Sequence, residues 1–284
     1  MAPRDLTRGL TFDAAATSYD RYRPRYPSEI FDELAAAGLD ANSRILEVGC
    51  GPGVATEGMI ARGWSVLAVD PGAQLAQVAR DKFGDQRFAV EVATFDEWDP
   101  RGRRFDLVFA AAAYHWVAPE VRWTKAAAVL AEHGILALTG NRTVAEGSFH
   151  DFYDTTRTLR ERGGVDDERE TPTVDDLREL VATHGDDVGA LWEAVSPQGS
   201  DVVADDLFEA PEVHLYPYST TYSTRQALGL LATYSRFLTM DPTSRADLFA
   251  RMAALIDDEF CGALTRHYVC VLAIAVRSAS AAPG

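Results

Sequence analysis

The chain has 284 residues, 47% of them hydrophobic, and 43 acidic side chains against 27 basic ones leave a net charge of −16. That is enough apolar material for a sizeable core, in one large domain or a domain with a substantial insertion. The acidity repels a phosphate backbone over most of the surface, and the clearest basic cluster, Arg21, Arg23 and Arg25 among Tyr22 and Tyr26, is too thin to argue for nucleic acid.

Residues 1–27 read as a polar, aromatic N-terminal arm closed by Pro24 and Pro27, which stop any helix from continuing. The arm has no apolar signal region and carries Asp5, Asp13 and Asp20, so a cytoplasmic location is expected. Ser28 is placed to cap a helix to about Ala37, with Ile30, Phe31 and Leu34 at helical spacing and Gly38 as its stop. Ile45–Val48 is a short apolar run closed by Gly49, Gly51 and Gly53, the pattern of a buried parallel strand turning into a helix. That helix spans Val54–Arg62 and ends at Gly63. Val66–Val69 is the second strand, with Asp70 at its carboxyl end, and a helix through Leu75, Val78 and Ala79 follows Pro71.

Phe88–Val92 and Phe105–Ala110 are the third and fourth strands, Val121–Ala131 is a helix stopped by Gly134, and Ile135–Thr139 is the fifth strand. Strands alternating with helices predict a parallel sheet covered on both faces. From 141 to 210 the pattern breaks into polar, acidic sequence with helical pieces near 150–161, 173–184 and 186–195. Val213–Tyr216 looks like a short strand that Pro217 ends or confines to a sheet edge. Two helices, at 223–238 and 243–258, precede a last apolar strand, Tyr268–Val276, and a small-residue tail over 278–284 is expected to fray. No run of about eighteen uncharged apolar residues occurs, so no membrane span is expected. Cys50, Cys261 and Cys270 form no metal-ligand spacing and are expected to be reduced thiols; no metal site is anticipated. Heavy use of Ala, Arg, Asp and Gly suggests a GC-rich bacterial genome.

The stretch Arg44–Gly53, RILEVGCGPG, organises the rest. Glycines there permit positive φ and let a ligand lie against the backbone. An acid at the end of the second strand, Asp70, can accept from both hydroxyls of a ribose. A dinucleotide fingerprint would read G-x-G-x-x-G; here Gly49, Gly51 and Gly53 alternate, and Glu47 stands two residues ahead. Its carboxylate suits an electropositive ligand and would repel a pyrophosphate. This acid-x-G-x-G-x-G motif, with Asp70 on the next strand, resembles the cofactor loop of class I S-adenosylmethionine-dependent methyltransferases.

The resemblance implies a Rossmann-like α/β three-layer sandwich: a seven-stranded, mostly parallel sheet with an antiparallel last strand. Its divisions would be an arm or lid (1–27), a cofactor-binding core (28–140), a helical cap insertion over the substrate (141–210) and a completion of the sheet (211–277). It implies S-adenosyl-L-methionine as cofactor and S-adenosyl-L-homocysteine as product. Gly49, Gly51, Gly53, Glu47, Asp70, Pro71, Thr94, Phe95 and Ala111 would surround the cofactor, with Tyr19, Arg23 and Tyr26 of the arm folding over it. The segment Ala113-Tyr114-His115-Trp116, directly after the fourth strand, is similar to that of small-molecule enzymes including trans-aconitate methyltransferases.

Histidine as a residue type can exchange a proton near neutral pH, so His115 is the candidate base, with Tyr22 as a second catalytic candidate. Tyr114, Trp116, Tyr216 and Tyr222 are candidate substrate-facing aromatics. The acceptor is open between a carboxylate, held by an arginine such as Arg23 or Arg142, and an indole-like or phenolic ring. Either suits a bacterial secondary metabolite and a role in natural-product biosynthesis. The chain is expected to be a monomer or homodimer without nucleic-acid or membrane partners. The rival readings are a non-catalytic module that keeps the cofactor as a ligand and a nicotinamide-dependent oxidoreductase.

Overall fold

The computed structural model of the chain describes residues 16–84, 87–165, 171–185, 187, 190–191 and 206–279. The arm before residue 16, most of the helix expected over 186–195 and the tail beyond 279 lie outside the described residues. Apolar runs bounded by glycines form the strands β1 (Arg44–Val48), β2 (Ser65–Asp70), β3 (Phe88–Val92), β4 (Phe105–Ala111) and β5 (Leu130–Thr143). Two long strands, β6 (Glu212–Ser223) and β7 (Ala263–Val276), complete a seven-stranded sheet in the order β3-β2-β1-β4-β5-β7-β6. β1 to β5 run parallel, whereas β7 lies antiparallel between β5 and β6. The chain winds outward from β1 to β3 and returns to β4 on the other side of β1. That reversal opens a crevice at the carboxyl ends of β1 and β4, where open α/β sheets take ligands.

Alternation of side chains along each strand divides the core in two. On one face α2 (Glu29–Ala36), α3 (Thr56–Ala61) and α4 (Ala73–Phe83) bury Phe31, Met59 and Ala76 against Ile45, Val66 and Phe109. On the other, α5 (Pro119–Val129) buries Trp123 and Ala126 against Leu46, Val108 and Leu138. Beyond β5 the chain adds α6 (Ser148–Thr155), α7 (Arg157–Arg162) and α8 (Val174–His184). α9 (Thr224–Ala232), α10 (Ser235–Leu238) and α11 (Pro242–Glu259) follow β6. Phe149, Phe152, Leu230, Phe237, Met252 and Tyr268 form a separate core where these helices meet β7. Among the described residues no helix is long and apolar enough to cross a membrane.

Four local expectations need correction or extension. The arm holds a helix not anticipated there, α1 (Ala16–Tyr22), and it ends before Pro24 as expected. Ser28 makes no side-chain cap: its backbone is already helical, and its hydroxyl donates to the Glu29 carboxylate at 3.2 Å. β5 begins at Leu130, passes through Gly134 and continues to Thr143, so Asn141 and Arg142 belong to the sheet and not to the polar segment after it. β6 is longer than expected, 12 residues running through Pro217; of the two alternatives for Pro217, confinement to a sheet edge holds, because an edge strand paired on one side tolerates a residue without an N–H.

Candidate functional site

At the reversal point a cleft of about 460 Å³ opens above β1, β2 and β4. Its floor is the loop after β1. Gly49 has φ +73°, and a Cβ there would stand 2.4 Å from Ala113 Cβ, so only glycine lets the β1 loop meet the segment after β4. Gly51 has φ +55°, and no atom lies within 4 Å of where its Cβ would be, so the backbone is open to the cleft. Gly53 does not line the cleft: it also has positive φ, and its missing side chain makes room for the Phe83 ring of α4.

Asp70 closes β2 with both carboxylate oxygens engaged, Oδ2 by the Gly51 amide and Oδ1 by the Gly72 amide, each at 2.8 Å. These two amides fix the orientation of the carboxylate at the edge of the cleft. Glu47, fully buried, accepts a hydrogen bond from Thr56 Oγ1 at 2.6 Å. Burial pushes its carboxyl up to about 8, the Thr56 bond opposing and the nearby Asp70 charge adding. Such an acid, lining a cleft with no cation beside it, fits a ligand ammonium. Thr94 and Phe95 line the wall after β3, and Phe95 also stacks on Trp98 at 6.3 Å, so it serves the core and the cleft together. Val69, Pro71 and Ala111 complete this side.

The roof comes from the arm. Tyr19, Arg23, Pro24 and Tyr26 line the cleft from above. An exposed ion-pair network holds them there: Lys82 of α4 meets Asp20 at 3.1 Å and Glu57 at 3.3 Å, and Arg25 meets Asp20 at 3.0 Å. The Arg23 guanidinium lies between the rings of Tyr19 and Tyr234, at 4.6 and 4.7 Å. His115 and Trp116 line the side beyond β4 on a single 3-10 turn, their rings 4.9 Å apart.

Several expected residues stand elsewhere. Tyr22 turns away from the cleft and lays its ring against Gly229 of α9. Tyr114 is fully buried, packed on Trp123 with its hydroxyl donating to the Arg122 carbonyl at 2.6 Å. Tyr216 packs beside His214 on the α2 face of the sheet. Tyr222 is buried at 2.9 Å, oxygen to oxygen, from Tyr268. None of these four lines the cleft. No described residue between 144 and 211 lines it either: α6 and α7 pack with the outer helical core, and Leu177 of α8 packs on Val269 and Val271. Among the described residues no cluster of His, Cys, Asp and Glu could hold a metal ion.

The residues that sequence reasoning missed lie far apart in the chain. Asn141 and Thr143 at the end of β5, Tyr234 at the start of α10 and Tyr268 on β7 all line the cleft. The Asn141 Oδ1 is buried without a hydrogen-bond partner. Behind Tyr234 and Thr143 sits Arg266, half-buried, with its Nε enclosed. Burial alone would raise the Tyr234 phenol, but the charges of Arg266, Arg23 and Arg236 outweigh it and hold it below the ordinary value.

Comparison with known proteins gives one consistent result. A methyltransferase-domain model matches residues 45–134. An uncharacterized methyltransferase of Mycobacterium tuberculosis is 30% identical, over 89% of this chain and 87% of that relative. The trans-aconitate 2-methyltransferase of Paracidovorax citrulli is 27% identical, over 81% of this chain and 90% of that relative. Among solved structures, a candidate type II methyltransferase from Anaeromyxobacter dehalogenans matches with a TM-score of 0.57 at 20% identity, over 93% of this chain and 100% of that one.

Proposed function

The chain belongs to the S-adenosylmethionine-dependent methyltransferases, and from that premise we propose that the cleft transfers a methyl group to a small-molecule acceptor held between His115 and the roof. The observation that carries this reading is a single cleft joining a buried acid, Glu47, a pinned acid, Asp70, and the His115–Trp116 turn. Bound there, S-adenosyl-L-methionine supplies a methyl group on a sulfonium. Asp70, oriented by two amides, accepts from the ribose hydroxyls. Glu47 gives up its proton to pair with the ammonium, which replaces the cation its site lacks. Thr94 and Phe95 take the adenine, and Arg23 of the roof receives the methionine carboxylate. Asp70, Glu47 and the glycines fix the donor, so the remaining catalytic task is to align the acceptor and exclude water.

His115 stands where the chain leaves β4. It orients the nucleophile there and takes its proton when the acceptor arrives as O–H or N–H. Trp116 and the roof tyrosines pack the acceptor body, and the buried Asn141 carbonyl oxygen is an acceptor for one of its donors. A secondary metabolite of bacterial origin suits a cleft lined by so many aromatic rings.

Calorimetric titration with S-adenosylhomocysteine tests the reading, with Asp70→Ala as control. Binding should be clear in the wild type and about tenfold or more weaker in the variant, the loss of two charge-assisted hydrogen bonds. A folded wild type that does not bind would sink it. His115→Ala should leave cofactor binding intact while lowering kcat by about a hundredfold with a protonated acceptor. An unchanged rate across pH would remove His115 from the chemistry.

A further inference from the structure

Charge does not balance at the roof. Arg23 donates Nη2 to the Thr233 carbonyl at 3.1 Å and otherwise faces aromatic rings, and its Nε has no partner. Arg266 donates Nη1 to Tyr234 Oη at 2.5 Å and Nη2 to Thr143 Oγ1 at 2.8 Å, and its Nε is likewise without a partner. Around it lie Phe149, Tyr234 and Tyr268, with its guanidinium 4.6, 5.7 and 5.4 Å from their rings. Neither arginine meets a carboxylate among the described residues. Each guanidinium is partly withdrawn from water with its Nε enclosed, and without a counter-ion that costs free energy, so an anion is expected to arrive with a ligand.

On the functional reading above, the cofactor brings one carboxylate, which goes to Arg23, while its ammonium goes to Glu47. One guanidinium, Arg266, remains uncompensated, and the sulfonium adds a further positive charge. The geometry around Arg266 says how the balance is restored. A guanidinium has only donors, so the Tyr234 and Thr143 hydroxyls serve it as acceptors. Neither hydroxyl donates to any described residue, and both side chains line the cleft. Two hydroxyl protons, polarised by the same half-buried charge, are therefore left for a ligand.

We infer that Tyr234 and Thr143, backed by Arg266, form a carboxylate-binding subsite for the methyl acceptor, and that this carboxylate anchors the acceptor while a different atom is methylated. The inference rests on the methyltransferase reading. It matches the depressed Tyr234 phenol, a sign of strong positive potential at that hydroxyl. Position argues for an anchor. Thr143 lies four residues beyond Thr139, the register partner of Ala111 at the end of β4, which is roughly 13 Å of strand rise. An acceptor held at Thr143 must reach back along the cleft to His115, so the acid end and the nucleophilic end are separate. A flat aromatic acid carrying a hydroxyl or ring N–H has that length and fits the tyrosine-lined walls.

The test uses the full chain loaded with S-adenosylhomocysteine, loading being measured first so that a failure of the cofactor reading shows before any acceptor is added. The loaded protein is titrated with matched pairs, 4-hydroxyphenylacetate against its amide and indole-3-acetate against its amide. Each acid should bind at least tenfold more tightly than its amide. Tyr234→Phe, which removes one hydroxyl and keeps the ring, should cut that preference about tenfold, and Thr143→Val should act alike. Arg266→Gln should abolish it, and the two hydroxyl variants carry the test if that variant does not fold. Amides binding as well as acids, no binding of either by loaded protein, or a full preference in Tyr234→Phe would each overturn the inference.

Discussion

Glu47 shows how one buried side chain ties stability to pH. Its carboxyl is pushed up to about 8 in the folded protein, against about 4.5 when exposed. Between those values the folded state holds a proton that the unfolded state has lost, so stability falls as pH rises through that window and levels off above it. The whole loss is up to about 5 kcal/mol at 1.36 kcal/mol per unit. Urea denaturation should therefore give a lower unfolding free energy at pH 8 than at pH 5, and Glu47→Gln should flatten the difference. A second prediction concerns Gly53, where φ is +82° and an added Cβ would come 2.3 Å from the Phe83 ring. Gly53→Ala should lower stability by about 1–3 kcal/mol, read as a fall in Tm, through strain and displacement of that ring. At this scale the sequence was legible where a residue type has a single use, as with Asp70. Tyr114, His115 and Trp116 were not separable, because the turn after Ala112, whose φ is +52°, sends Tyr114 inward and its two neighbours outward.

Among the elements, the arm is the one whose attachment is electrostatic. Lys82, Asp20, Arg25 and Glu57 are partly exposed, and pairs of that kind contribute about 0.2–1 kcal/mol each and weaken with salt. Lys82→Ala removes two of them. It should speed cofactor dissociation about two- to fivefold at low ionic strength, with the difference from wild type shrinking in high salt; stopped-flow displacement measures both. The helix in the arm, α1, was hidden in the sequence because it is short and its stability comes from packing against α4 and α9. The extension of β5 was hidden for a similar reason. Gly140-Asn141-Arg142-Thr143 has no strand pattern of its own and is held extended by pairing with Tyr268–Val271, more than a hundred residues away.

For the whole molecule, the side of the cleft built from β1 to β4 was legible and the side proposed for the acceptor was not. Strands β1 to β4 and their glycines lie in one continuous stretch, so periodicity and spacing could place them. Asn141, Tyr234, Arg266 and Tyr268 come together only through the antiparallel insertion of β7, which no local pattern reports. Ligand linkage offers a check at this scale: S-adenosylhomocysteine at a hundred times its Kd should add about 2.7 kcal/mol and raise Tm by several degrees. A nicotinamide dinucleotide should leave Tm unchanged.

The place of β7 also governs the order in which the molecule is made. It is the last strand in the chain, yet it fills the gap between β5 and β6. During translation the outer edge of β5 has no neighbour until residues 263–276 leave the ribosome, and an unpaired edge invites association with other chains. A nascent chain halted before residue 263 would carry the cofactor loop and its glycines complete, but with an adhesive flank. Chaperone occupancy should peak in that interval and fall on release. Synthesis of β7 thus seals the sheet and completes the end of the cleft proposed for the acceptor in the same event.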